Sequence, residues 1–145
     1  MPGNMMLARR IKDAVIPATT GKMAVLPTGA TNGFQLTSDG STAGDFGSYV
    51  EVVAASGITS EFRITSVVVD SFSDNKRLHI TVATGSASSE VEIGTFVLGV
   101  GATSDAPFIP VSMANIPANT RVIMKVAAQN GTGITCRVNI NYVTV

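Results

Sequence analysis

The chain has no tryptophan, one cysteine and one histidine, and charged residues make up only 14% of it. The single cysteine, Cys136, cannot close an intrachain disulfide, so no disulfide framework defines the fold. The single histidine, His79, has no His or Cys partner with which to build a zinc site, and no cofactor is expected. Lys and Arg together number 10 and so do Asp and Glu, a balance that excludes a strongly cationic nucleic-acid binder and a charged disordered tail. No run reaches the ~18–20 apolar residues of a membrane-spanning helix, so no membrane partner is expected. Arg9, Arg10 and Lys12 fall where the apolar block of a signal peptide would stand, so synthesis and assembly in the cytoplasm are expected.

The 145 residues suffice for one core, and a chain of this length buries roughly 68–70% of its unfolded surface without staples. Such a thin, balanced charge coat hints at surface covered by other chains.

Residues 1–31 differ from the rest. Arg9, Arg10, Lys12 and Lys22 against Asp13 alone leave this stretch at +3 and the remainder at −3. Leu7, Ile11 and Ala14 or Val15 share a helical face, but Pro17, Thr19, Thr20, Gly21 and Pro27 confine any helix to about three turns. One reading is a frayed terminus that adds a strand to the body's sheet. The other is a docking arm, 1–31, that straps onto a partner through Leu7, Arg9, Arg10, Ile11, Lys12, Val15 and Lys22, because its apolar residues are too many for a floating tail.

Residues 32–145 read as strands parted by Gly, Ser, Asn, Asp and Pro: 33–37, 47–55, 61–71, 77–84, 90–98, 108–113, 121–128 and 134–145. Ile134, Cys136, Val138, Ile140 and Tyr142 alternate with polar residues; so do Leu78, Ile80 and Val82, Val91 and Ile93, and Val122, Met124 and Val126. The Asn130-Gly131-Thr132-Gly133 turn predicts that 122–128 and 134–145 pair as a hairpin. Eight strands without helical crossovers predict an all-β, eight-stranded antiparallel β-sandwich of jelly-roll type with an extended N-terminal arm. An immunoglobulin-like sandwich is the rival, but the buried Trp usual there is missing.

Reactive constellations are weak. His79 sits on an outward strand face with no nucleophile or orienting acid nearby in sequence. Glu90 and Glu92 share a face, with Glu51 or Glu61 as possible opposites, yet solvated strands carry such residues routinely. Asp39, Ser41 and Asp45, and Asp70, Asp74 and Asn75, are either calcium ligands or ordinary turn formers; neither set has the spacing of an EF-hand loop. The run 98–102 is Gly-rich but lacks the Lys-Ser/Thr and the helix of a phosphate loop. No enzyme is expected. Val67, Val69, Phe96, Ile123, Val143 and Val145 fall on otherwise polar faces, where either a bulge turns them inward or they touch a second subunit.

Ser89-Glu90-Val91-Glu92-Ile93-Gly94, Pro110-Val111 and Ile116-Pro117-Ala118-Asn119-Thr120-Arg121-Val122, with Gly47 to Ala54 as an early strand, resemble tailed-bacteriophage virion proteins of jelly-roll type. The likeness spans about 47–145, and Asn119 stands where the pattern has Gly, a change that left-handed geometry tolerates. The resemblance implies no catalytic residue. It implies a virion structural role and not one fixed location; the location expected is that of a capsid decoration (cement) protein on the outer capsid surface of a virion assembled in the host cytoplasm. Such a protein would bind the major capsid protein and itself, as a homotrimer, with Arg121 anchoring its turn or facing a neighbour. The alternative it leaves open is a tail, fibre or receptor-binding module that takes carbohydrate.

Overall fold

The computed structural model describes residues 23–29, 32–99 and 108–145. Nine strands are found among them: β1 (Met23–Leu26), β2 (Phe34–Thr37), β3 (Val50–Val53), β4 (Phe62–Asp70), β5 (Leu78–Thr84), β6 (Val91–Leu98), β7 (Phe108–Pro110), β8 (Val122–Ala128) and β9 (Thr135–Thr144). The eight runs read from the alternation are β2 to β9. Met23–Leu26, from the stretch expected to be arm, pairs antiparallel with Ile140–Val143 of β9, so the body's sheet reaches back at least to Met23. Residues 1–22 lie outside the described residues, as does the run at 100–102.

The strands form two sheets. One has the order β1-β9-β4-β7 with β2 also on β9, and the other has the order β3-β8-β5-β6. From β2 onward the pairing is nested: β2 with β9, β3 with β8, β4 with β7 and β5 with β6, all antiparallel. A long hairpin folded over on itself gives this pattern, and the β4–β9 and β5–β8 ladders complete the two sheets. This is a jelly roll, derived from the ladders alone. β1 and β2 lie end to end along one edge of β9, against 140–143 and 135–138 respectively.

The expected hairpin between β8 and β9 does not form, because the two strands belong to different sheets. Asn130 and Gly133 do take positive φ, 56° and 60°, but the reversal carries the chain across the sandwich. Gly133 N–H then bonds to the Asp39 carbonyl, and Ser38 N–H to the Ile134 carbonyl, which starts β9 beside β2. Turn residues dictate that a chain reverses; the ladders show where. Val122, Met124, Val126 and Ala128 of β8 and Cys136, Val138 and Ile140 of β9 line one core from its two sides, as strands of opposed sheets do.

Three bulges adjust the pleat. The β4–β9 register shifts between Ile64 and Ser66, so Phe62 and Ile64 point inward before the shift and Val67 and Val69 after it. A second shift lies between Glu51 and Val53, and a third, between Val82 and Ala83, leaves Ile93 of β6 without an opposite. The body also depends on close backbone approaches: a Cβ at Gly47 would collide with the Thr37 carbonyl oxygen, and one at Gly33 would come within 2.5 Å of the Val138 carbonyl oxygen.

Candidate functional site

The chemistry gathers on the outer face of the β3-β8-β5-β6 sheet. Strand alternation turns Ile123, Lys125 and Ala127 of β8, and Arg121 just before it, away from the core. Lys125 Nζ lies 2.9 Å from Glu92 Oε1 of β6, 4.5 Å from the centroid of the Tyr49 ring and 4.8 Å from that of Phe46. The residues leading into β3 therefore hold a cation between two aromatic faces. The hydrogen bond from Lys125 holds the Glu92 carboxyl below its ordinary range, with the ammonium's charge second. The same bond raises Lys125, against an opposing effect of its partial burial. One strand-turn away, Arg121 Nε donates to Glu51 Oε2 at 2.7 Å and Nη1 donates to the Gly85 carbonyl at 3.1 Å. Ile123 and Ala83, opposite each other between these two ion pairs, are wholly buried although they face outward.

Below Lys125 the face is hollow. Ala127 is flanked by His79 in register on one side and by Phe46 through an isolated bridge on the other. A methyl between two large side chains on adjacent strands leaves a trough. Gly44, Arg77 and Gln129 complete its lining, and the depression measures about 320 Å³. Its far end is fixed by the Gln129 N–H, which donates to the Arg77 carbonyl at 2.9 Å.

Of the carboxylates considered for acid–base work, Glu92 pairs with Lys125 and Glu51 with Arg121, while Glu61 and Glu90 make no ion pair among the described residues. Asp39 Oδ1 accepts from the N–H groups of Ser41 and Thr42 and from the Ser41 hydroxyl, bonds that lower its pKa and close a turn. Asp74 pairs with Lys76 at 3.6 Å and accepts from the Asn75 N–H. Among the described residues no three His, Cys, Asp or Glu are grouped to hold a metal. Cys136 is buried; desolvation first, and the Asp70 charge second, push its thiol up to about 12.

The residues expected at a subunit interface divide. Val67 and Val69 are fully buried in this chain's own core, because the bulge before Ser66 reverses the pleat. They are not surface. Ile123 and Val143 do lie on outward faces, but neighbours cover them: Ile123 as above, and Val143 in register between Met23 and Arg63 at 8% exposure. Phe96 is half-buried and packs on the core. Arg121 anchors the start of β8, and Val145 remains exposed. The docking candidates Leu7, Arg9, Arg10, Ile11, Lys12, Val15 and Lys22 lie outside the described residues.

The exposed apolar surface that alternation missed lies on strands that have a neighbour on one side only among the described residues. β6 presents Val91, Ile93 and Val97, although Val91 and Ile93 had been expected to face inward; β7 presents Phe108 and β1 presents Met23 and Val25. Edge position is a tertiary property, and no local pattern announces it.

No protein-family model matches the chain, and no curated protein sequence matches it either. Among solved structures it is similar to the infectious bursal disease virus VP2 subviral particle, at TM-score 0.46 and 12% identity over 86% of this chain and 33% of that one. It is also similar to the T13 particle of that virus, at TM-score 0.45 and 13% identity over 86% of this chain and 31% of that one. The chain thus spans about a third of the length of these neighbours. Similarity at this level assigns neither a family nor an activity.

Proposed function

We propose that this chain is a non-enzymatic virion structural protein, a capsid decoration protein that binds the major capsid protein and stabilises a phage head as a homotrimer. The observation that carries the reading is the apolar surface on strands that have one neighbour among the described residues, with Val91 62%, Phe108 62% and Met23 65% exposed. Single exposed apolar residues are ordinary; runs of them along open strands mark surfaces made to be covered. The nested jelly roll, the ion pairs that tie up Glu51 and Glu92 and the likeness of 47–145 to tailed-phage virion proteins support the same role. The basic stretch before β1 supplies the strap, opposite in sign to the body it leaves.

The test is capsid occupancy by a chain lacking residues 1–22, a deletion that stops short of β1 and leaves the β9 ladder whole. Loss of occupancy with an unchanged melting transition is expected. Full occupancy would overturn the strap, and a chain that sediments as a monomer at capsid-saturating concentration would overturn the trimer. The carbohydrate-binding alternative is favoured by one feature only, the trough beside His79.

A further inference from the structure

We propose that the trough on the outer face of the β3-β8-β5-β6 sheet is a binding site for a carboxylate-bearing sugar, a uronic-acid-type pyranose, held by Arg77, His79, Gln129 and Phe46. The site stands apart from the edges invoked above and does not depend on a virion role.

Its shape comes from the register. Ala127 separates His79 from Phe46, and strands two apart in a sheet lie ~10 Å from each other, so an alanine between them leaves a slot with a small floor and tall walls. Lys125 holds one side of the Phe46 ring. The trough is lined by Gly44, Arg77 and Gln129 and not by Lys125, so it opens on the ring's other side.

Its chemistry comes from the lining. Arg77, like Arg63, makes no ion pair among the described residues, whereas Lys76, Arg121 and Lys125 each have a carboxylate and Arg137 bonds to the Gly33 carbonyl and Gln35; of the two, Arg77 is the one that lines the trough. A guanidinium left unpaired at the rim of a concavity suits a carboxylate, which it can take through two parallel N–H bonds. Gln129 and His79 each offer both a donor and an acceptor, which matches hydroxyl groups that do both. The Phe46 ring gives the C–H face of a pyranose an apolar wall. A bare anion would use the arginine alone and leave the rest of this lining idle. An apolar peptide would find polar groups that it could not satisfy.

The test is titration of the full chain with glucuronic acid, glucose, acetate and glucose 6-phosphate, followed by NMR. Saturable binding of glucuronic acid is expected, with glucose and acetate weaker by roughly tenfold to a hundredfold, the span of one charge-assisted contact. Arg77→Ala should lower the glucuronic acid affinity by a similar factor. Arg77 is exposed and only its backbone carbonyl is used by the fold, so this variant keeps the structure. Phe46→Leu, which keeps apolar bulk without the flat ring, should weaken glucose and glucuronic acid alike. Acetate binding as tightly as glucuronic acid would overturn the proposal by showing an anion site only. Tighter binding of glucose 6-phosphate would overturn the carboxylate assignment, and glucuronic acid binding unchanged in Arg77→Ala would overturn the site.

Discussion

Arg121 reaches from the start of β8 to Glu51 of β3 at 2.7 Å, and its second nitrogen ties the Gly85 carbonyl between β5 and β6. One side chain thus joins three of the four strands of its sheet at one end. Both partners are partly solvated, at 26% and 47% side-chain exposure, so the ion pair itself contributes at most about 1 kcal/mol. Arg121→Ala should cost more than Glu51→Ala, because it also strands the Gly85 carbonyl. A double-mutant cycle followed by urea unfolding should give a coupling of ~0.5–1 kcal/mol. Zero coupling with equal single costs would mean that the pair is incidental.

The Lys125–Glu92 pair gives the fold a defined pH window. Glu92 titrates below its unfolded value, so its contribution is present above an unfolded pKa of about 4.3 and is lost as pH falls through the lower folded value. Lys125 titrates above its unfolded value, so its contribution is complete below about 10.4 and is lost as pH rises through the folded value. The stability difference between the native chain and Glu92→Gln should therefore be flat from about pH 5 to pH 10 and shrink at both ends. Urea midpoints across that range test this, and a difference that survived unchanged at pH 2 would rule the pair out as its source.

Cys136 should be inert in the folded chain. With its thiol pushed up to about 12 by burial and by Asp70, the thiolate fraction at pH 8 is on the order of one in ten thousand, and the sulfur is also out of reach. Reaction with an aromatic disulfide reagent should follow unfolding as urea is raised. Prompt stoichiometric labelling without denaturant would show that the start of β9 opens freely.

Asn119 sits at φ 59°, and its N–H donates to the Ile58 carbonyl at 2.8 Å. Left-handed backbone costs most side chains about 1–2 kcal/mol, with Gly exempt and Asn partly so. Asn119→Gly should leave the unfolding free energy nearly unchanged, while Asn119→Val should lower it by about that amount. Equal stability of the two variants would contradict the turn geometry.

Strand existence was legible because alternation and turn residues are local. The eight runs survive in place, and so does the inward set Ile134, Cys136, Val138 and Ile140. Partnership was not legible: 130–133 reverses the chain equally well within one sheet or between two, and the apolar faces of β8 and β9 suit either arrangement, while the ladders place them in different sheets. Nor could the sequence 62–70 announce where its pleat changes phase, since Thr65 and Ser66 fit either face. Alternation alone puts Val67 and Val69 on the surface, and of the two readings left open for them it is the bulge, turning them inward, that the structure shows. His79 and Arg77 were visible as residues of one face, but Phe46 and Gln129 join them only through the β3–β8 and β8–β5 registers. The pairing of Lys125 with Glu92 likewise waits on the strand order.

The nested pairing also orders events at the ribosome. Among the described residues β2 pairs with β9 alone, and Arg137 bonds to a Gly33 carbonyl 104 residues earlier in the chain. β1 depends on the same late strand. The earliest described strands must emerge, and stay unpaired, until nearly the whole body has been made, and long-range closure of this kind is slow. Completion of this jelly roll therefore waits on β9. A stalled or shortened product that ends before 135 would leave two strand edges open to any neighbour in the same condition.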